Sequence, residues 1–272
     1  FLIMGGIAGS SNNAVSDIIN AAQITLSGNP GGESGVLKEG YYGPRYAYVG
    51  GIVGQLLING SVSGNGDTTN SGAISIEQME FYTDTKNNLG SIIAVGGIAG
   101  QHYGKISSTV NSGEIDIAAP SSGTPAWNFH ALGGIAGLIG EFGGDYSGAS
   151  ITGSKNLAAI THDKFSKKYD NMPVYLGGIA GYIFESGCTI SDCFNNGQMN
   201  AHYWNNQIAY SDKIGDKRGN LTGGIVGVAI SAADANNITS CTNEGVLVVY
   251  RGAAGGIVGY VDGARITDCT NK

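Results

Sequence analysis

One five-residue phrase, Gly-Gly-Ile-Ala/Val-Gly, occurs seven times along the 272 residues of this chain. The copies begin at Gly5, Gly50, Gly96, Gly133, Gly177, Gly223 and Gly255. Because repeated units stack on their neighbours, the phrase predicts one continuous array in which each recurring position lies above its counterpart. The paired glycines indicate a bend or a close backbone approach. Besides the first and last copies, the pairs are Gly50 and Gly51, Gly96 and Gly97, Gly133 and Gly134, Gly177 and Gly178, and Gly223 and Gly224.

A second repeated element follows each phrase. It reads as an apolar residue, two variable residues, a small residue, one further residue and an asparagine, as in the segment from Ile190 to Asn195. We expect the asparagines to stack as a ladder, with side-chain amides hydrogen-bonded along the axis. The interior members of this ladder are Asn70, Asn111, Asn156, Asn195 and Asn243.

A third element has apolar residues two apart, as in Ile74 and Ile76 or Ile115 and Ile117. Period two predicts a strand with one buried and one solvated face. Each unit therefore contains three short strands joined by turns. The chain is predicted to be all-β, a parallel β-solenoid of about seven coils with variable loops on one edge, forming a single domain over residues 1–272.

Composition narrows the possible functions. The net charge is −7 and charged residues make up only 13% of the chain, so the concentrated basic surface of a nucleic-acid-binding protein is not expected. No apolar run approaches the length of about 18 residues that a membrane-spanning helix requires. Solenoids need capping ends, and this chain opens on a repeat and stops within one, so we expect it to be a fragment of a longer protein.

The segment from Gly255 to Asn271 resembles the GLUG motif, and the resemblance extends over all seven units. This motif is a repeat of bacterial surface and secreted proteins, including regions of some immunoglobulin-A-cleaving metallopeptidases. The chain has no His-Glu-x-x-His, so the resemblance does not carry the peptidase activity over. It implies a bacterial origin and an extracellular or cell-surface location.

The candidate ligands and reactive groups form no clear site in the sequence. Four histidines, His102, His130, His162 and His202, fall in four different units, which argues against zinc; His162 is expected to be a buried structural residue rather than a catalytic one.

Cys193, Cys241 and Cys269 share one repeat position, with Cys188 nearby, and are predicted to be either disulfide-bonded or a column of buried thiols. Glu114 and Asp116 face outward. They suit surface calcium or the paired acids of a glycoside hydrolase, but are better explained as solvated charge. No cofactor is indicated.

The segments between the third strand and the next glycine phrase vary most in length, which is typical of a binding edge. They hold most of the aromatic residues, which suggests two alternatives: a strip that binds sugar rings, or a satellite core that covers the open edge. The candidate ligand-binding aromatics are Tyr42, Tyr46, Tyr48, Trp127, Phe129, Tyr175, Tyr203 and Trp204.

The most consistent interpretation is a noncatalytic stalk or adhesin module that presents its loops to a host or matrix protein or glycan. Two alternatives stay open. A carbohydrate-active β-helix enzyme would need catalytic groups clustered on consecutive coils. A structural module that self-associates into filaments would use the exposed strand edges of its end coils.

Overall fold

The computed structural model describes residues 2–27, 46–77, 92–118, 129–140, 148–163, 173–184, 186–202, 220–231, 235–250 and 252–272. In this part of the chain all regular secondary structure is β-strand, and the strands are arranged as seven successive coils. The strands form five sheets, here called A to E in the order in which one coil visits them, and all pairings run parallel between successive coils. The expected parallel β-solenoid is confirmed.

Sheets A and B are formed by the strands before and after each glycine pair. Sheet A contains β1 (Leu2–Gly5), β6 (Tyr46–Gly50), β11 (Ile92–Gly96), β16 (Phe129–Gly133), β21 (Val174–Gly177), β26 (Asn220–Gly223) and β31 (Gly252–Gly255). Sheet B contains β2 (Ala8–Ser11), β7 (Val53–Leu56), β12 (Ala99–His102), β17 (Ala136–Ile139), β22 (Ala180–Phe184), β27 (Val226–Ile230) and β32 (Val258–Asp262).

Sheets C, D and E complete each coil. Sheet C contains β3 (Ala14–Ser16), β8 (Ser61–Ser63), β13 (Lys105–Ser107), β18 (Ser150–Thr152), β23 (Thr189–Ser191), β28 (Asn236–Thr239) and β33 (Ala264–Thr267). Sheet D contains β4 (Ile19–Asn20), β9 (Thr69–Asn70), β14 (Val110–Asn111), β19 (Lys155–Asn156), β24 (Phe194–Asn195), β29 (Thr242–Asn243) and β34 (Thr270–Asn271). Sheet E contains β5 (Ile24–Ser27), β10 (Ile74–Glu77), β15 (Ile115–Ala118), β20 (Ile160–Asp163), β25 (Met199–Ala201) and β30 (Leu247–Val249).

The three sequence elements map onto sheets B to E. The glycine phrase leads into sheet B, the segment ending in asparagine forms sheets C and D, and the alternating segment forms sheet E. Within sheet E the alternation is visible as burial: Ile24 and Leu26 are buried while Thr25 is exposed. A complete coil has five strands, two more than the three sequence elements: the second element forms two short strands, and residues assigned to the variable segment form sheet A.

Three apolar clusters fill the part of the molecule that the structure describes. The first lies between sheets B and C and includes Ile52, Val53 and Ile106. The second lies between sheets A and E and includes Val95, Ile115 and Ile117. The third lies between the remaining faces of sheets A and B, where Tyr48, Phe129 and Tyr175 of sheet A meet Leu138 and Tyr182 of sheet B. Strand A of each coil also packs against strand B of the following coil.

Sheet A was missed because both of its faces are buried. All five residues of β11, Ile-Ile-Ala-Val-Gly, are buried, and so are all five of β16. Parallel strands covered on both faces lose the alternation of apolar and polar residues. The period-two signal that identified sheet E is therefore absent from sheet A, although the strand is regular.

Candidate functional site

The recurring asparagines form an unbroken hydrogen-bonded ladder. The Nδ2 of each donates to the Oδ1 of the next, beginning with Asn20 to Asn70 at 2.8 Å and ending with Asn243 to Asn271 at 2.7 Å. The four intervening steps, through Asn70, Asn111, Asn156, Asn195 and Asn243, are 2.8 to 2.9 Å long. The predicted ladder is thus present and runs through all seven coils.

The second glycine of each phrase makes room for the asparagine of its own coil. A Cβ added at Gly97 would lie 2.2 Å from Cγ of Asn111, and one at Gly51 would lie 2.3 Å from Cγ of Asn70. Real Cβ atoms do not approach other atoms so closely, so glycine is required. The two most regular sequence elements therefore form one contact, which we call the Gly–Asn seam. The same contact recurs at Gly134, Gly178 and Gly224 with Asn156, Asn195 and Asn243.

The last glycine of the phrase serves the packing of sheet B against sheet A. A Cβ at Gly100 would lie 2.3 Å from the backbone nitrogen of Val49 in the preceding coil. The first glycine of each pair is equally confined: at Gly96 a Cβ would lie 2.0 Å from the carbonyl oxygen of Ala99. All three glycines are therefore part of the scaffold, as the sequence indicated.

One comparison with known proteins matches the last coil of the array. Residues 250–272 match the family model of the GLUG motif. The matched segment covers strands β31 to β34, so one GLUG unit supplies the glycine pair, Cys269 and the asparagine of a coil. No curated protein and no solved structure matches the chain.

Four of the eight candidate aromatics lie among the described residues, all on sheet A. Tyr48, Phe129 and Tyr175 are buried in the third cluster, and Tyr46 is half-buried. The rings pack on one another, with Phe129 and Tyr175 each close to Tyr182 at centroid distances of 5.4 and 5.1 Å. Burial raises the pKa of Tyr175 to about 12.

The buried rings fit the satellite-core alternative. A sugar ring packs on an exposed aromatic face, and Tyr48, Phe129 and Tyr175 have none. The other four aromatics, Tyr42, Trp127, Tyr203 and Trp204, lie outside the described residues.

The variable segments of successive coils all start and end at one corner. The last strand before each is in sheet E and the first strand after it is in sheet A. They comprise residues 28–45, 78–91, 119–128, 164–173 and 202–219. Between β30 and β31, by contrast, only residues 250 and 251 make the same connection. We call this position the E–A corner.

Three of the four histidines are fully or almost fully buried. His162 faces the second cluster, where its Nε2 lies 2.8 Å from Nδ1 of His130. Burial, and then the neighbouring His162, hold the pKa of His130 well below its usual value. This pair joins sheets A and E, so the buried side chain of His162 contacts a second histidine in another sheet.

His102 is isolated in the first cluster. It occupies a column of sheet B between Leu56 and Ile139, and its Nε2 donates to the carbonyl of Ser150 at 3.1 Å. Nδ1 is buried and has no hydrogen-bond partner among the described residues. Burial lowers the pKa of His102 to about 4, against a smaller raising effect of the Ser150 bond. The fourth histidine, His202, stacks on Tyr250.

All four cysteines are present as thiols rather than disulfides. Cys193, Cys241 and Cys269 form the expected column, lining the first cluster one residue before sheet D. The column continues through Ser154, Thr109 and Thr68 in earlier coils, where Thr109 Oγ1 donates to Ser154 Oγ at 3.1 Å. The residue before it often has positive φ, as at Ser108, Asp192 and Asp268. Asp tolerates this conformation better than most residues, a signal that sequence reasoning overlooked.

Glu114 and Asp116 are exposed on the outer face of sheet E. Asp116 is flanked in register by Ser75 and Thr161. No second carboxylate therefore stands beside Asp116 in its own column. Among the described residues, no group of three or more His, Cys, Asp or Glu side chains is placed to hold a metal ion. Nor do those residues include a helix long and apolar enough to cross a membrane.

One regular surface was not anticipated. The outer face of sheet C carries a hydroxyl residue from every coil in a single in-register column. This hydroxyl column consists of Ser16, Ser63, Ser107, Thr152, Ser191, Thr239 and Thr267. Its signal in the sequence is the Ser or Thr that directly follows the apolar residue opening each second element.

Proposed function

We propose that the chain is a noncatalytic repeat module of an extracellular, cell-surface bacterial protein, a stalk or adhesin that presents the segments of its E–A corner to host or matrix glycans. The observation that carries this proposal is the arrangement of connections. All five long segments begin after a strand of sheet E and end before a strand of sheet A, and the two-residue connection between β30 and β31 links the same two sheets. The long segments are therefore dispensable for winding the coil.

The scaffold has the properties that such display requires. Five parallel sheets and the asparagine ladder tie each coil to the next, so the ends of all five segments are held at spacings of about 4.8 Å per coil. Variable segments held at one edge of a repeat array commonly form its binding surface. Trp127, Tyr203 and Trp204 lie in these segments and supply ring faces suited to sugars.

The decisive experiment replaces the long segments with the short connection that the chain already contains. In one variant, residues 202–219 are exchanged for a Tyr-Arg pair, as at positions 250 and 251; further variants treat the other segments likewise. We expect the far-UV circular dichroism and the unfolding midpoint to be retained, while binding on a glycan array is lost. Trp127→Ala and Trp204→Ala should each weaken binding about tenfold or more.

A second surface provides the matched control. Ser107→Ala and Thr152→Ala remove hydroxyls from the hydroxyl column and leave the corner intact. Binding that survives all short-connection variants but is lost in these two would overturn the proposal and move the ligand to sheet C. Turnover of a polysaccharide by the intact chain would contradict its noncatalytic part. End-to-end association without glycan binding would favour the filament alternative.

A further inference from the structure

Two buried polar side chains stand together on the inner face of strand β26. Asn220 and Thr222 are both completely buried. They are in register with Val174 and Leu176 of the preceding coil, which belong to the second cluster between sheets A and E. The sixth coil therefore places an amide and a hydroxyl at positions where the fifth coil has apolar side chains.

The orientation of the Asn220 amide is fixed by the backbone of the E–A corner. Its Nδ2 donates to the carbonyl of Ala201 at 3.3 Å and to the carbonyl of Tyr250 at 3.4 Å. A carbonyl oxygen only accepts hydrogen bonds, so the nitrogen end of the amide must face these two groups. The amide thereby ties Ala201, the residue before segment 202–219, to the residue that follows the segment. Both N–H groups are used, and Oδ1 faces away from the two carbonyls as an acceptor.

Neither Asn220 Oδ1 nor Thr222 Oγ1 has a hydrogen-bond partner among the described residues, and the two atoms make no bond to each other. Buried polar groups in proteins are nearly always paired, with protein atoms or with ordered water. Residues two apart on a strand point to the same face, so one small group between the two side chains can serve both. The pair therefore needs a group that donates to Oδ1 and accepts from the threonine hydroxyl.

The surroundings of the pair select a small and neutral occupant. The neighbours Val174 and Leu176 are apolar and supply no opposite charge, and burying an ion without one is costly. In the following coil the register partners are Gly252 and Ala254, so that strand contributes no large side chain at these positions. A water molecule both donates and accepts hydrogen bonds, and a buried water typically joins two to four polar groups.

We propose that Asn220 and Thr222 bind one buried water molecule between sheets A and E. The Thr222 hydroxyl donates to the water oxygen, and the water donates to Asn220 Oδ1. Together with the two bonds from Nδ2, the water completes the hydrogen bonding of the amide. The base of segment 202–219 is thereby anchored to the interior of the sixth coil.

A crystal structure of the chain, at a resolution that shows ordered water, provides the direct test. We expect one peak of electron density at about 2.6–3.2 Å from both Asn220 Oδ1 and Thr222 Oγ1. A direct hydrogen bond between the two side chains, or the absence of density at that position, would overturn the proposal.

Thr222→Val tests the same site in solution. Valine has nearly the shape of threonine but no hydroxyl, and the apolar Leu176 occupies the same column. Because the variant removes one of the two anchors of the water, we expect the equilibrium constant for unfolding to rise about tenfold, measured by urea titration. If no water is bound, the variant removes an unpaired buried hydroxyl. An unchanged or higher urea midpoint would therefore refute the proposal.

Thr109→Val is the matched control, because the buried Thr109 hydroxyl donates to Ser154 Oγ within the protein. It should lower the urea midpoint to a similar extent. Asn220→Val supplies a second readout, since it removes Oδ1 together with the bonds to the corner carbonyls. In that background Thr222→Val should cost less than it does alone, because the water has already lost an anchor. Fully additive losses would contradict a water shared by the two residues.

Discussion

The strongest stability prediction concerns the centre of the asparagine ladder. Asn111 is completely buried and takes part in three side-chain hydrogen bonds. It accepts from Asn70 Nδ2 at 2.9 Å, and its own Nδ2 donates to Asn156 Oδ1 at 2.9 Å and to the carbonyl of Gly113 at 3.1 Å. Asn111→Ala removes all three and leaves the partners buried.

The magnitude follows from what the partners lose. A typical hydrogen bond contributes about 1 kcal/mol net, and each buried group left unsatisfied costs about 1–3 kcal/mol. Asn70 Nδ2 keeps its bond to the carbonyl of Gly72, so its loss is partial. The Oδ1 of Asn156 loses the donor of the preceding rung. We therefore expect Asn111→Ala to lower the free energy of unfolding by about 3–5 kcal/mol.

The terminal rung provides the control. Asn271 is exposed and accepts a single ladder bond, from Asn243 Nδ2 at 2.7 Å, so water can replace it and Asn271→Ala should cost about 1 kcal/mol or less. Both values are measured by urea unfolding monitored by far-UV circular dichroism. Equal losses for the two variants would refute the idea that the buried ladder stabilises the array. In addition, the loss of unfolding free energy in the double variant Asn70→Ala and Asn111→Ala should be smaller than the sum of the two single losses, because the two residues share a hydrogen bond.

Two further predictions concern single positions. Gly100→Ala should destabilise the chain by about 3 kcal/mol or more, because the added Cβ would lie 2.3 Å from the backbone nitrogen of Val49. Gly9→Ala is the equivalent change in the first coil. Its Cβ would meet no atom closer than 3.6 Å, so it should cost under about 1 kcal/mol. Equal thermal shifts for the two alanine variants would contradict this. The pKa of His102 is lowered from 6.5 to about 4, so the unfolded chain binds its proton first and stability should fall by about 3 kcal/mol as the pH drops from 6.5 to 4. His102→Leu loses the hydrogen bond to Ser150, but it should flatten the plot of unfolding free energy against pH measured by urea titration. An unchanged slope of that plot would exclude His102 as the source of the pH dependence.

The parts of the fold that could be predicted from sequence are those with a polar signature. Asn111 and its counterparts were recognisable because a buried asparagine repeated at one position has few ways to satisfy its amide other than an identical neighbour. Ile115 and Ile117 identified sheet E because a solvated residue separates them. Sheet A lacks such a contrast, so Tyr48 and Phe129 were placed in a variable binding segment although they belong to a regular, doubly buried strand.

Contacts between sheets could not be predicted from the same pattern. His130 and His162 lie 32 residues apart in sequence and meet only because sheets A and E face each other across the second cluster. The contact between Gly97 and Asn111 was equally inaccessible, although each residue alone was recognised as part of the repeat. Sequence periodicity fixes positions within a strand and says little about which sheet lies opposite.

The direction of the asparagine ladder has a consequence for how such a protein can change over time. Each interior asparagine gives a hydrogen bond to the coil after it and takes one from the coil before it, so neighbouring coils offer one another the same pair of side-chain groups. Recombination that deletes or duplicates a whole coil would rejoin a donor to an acceptor and leave all other bonds as they were. Gain or loss of part of a coil would break the Gly–Asn seam. The length of the solenoid can therefore change in steps of about 4.8 Å, one whole coil at a time, and no new interface between coils is needed.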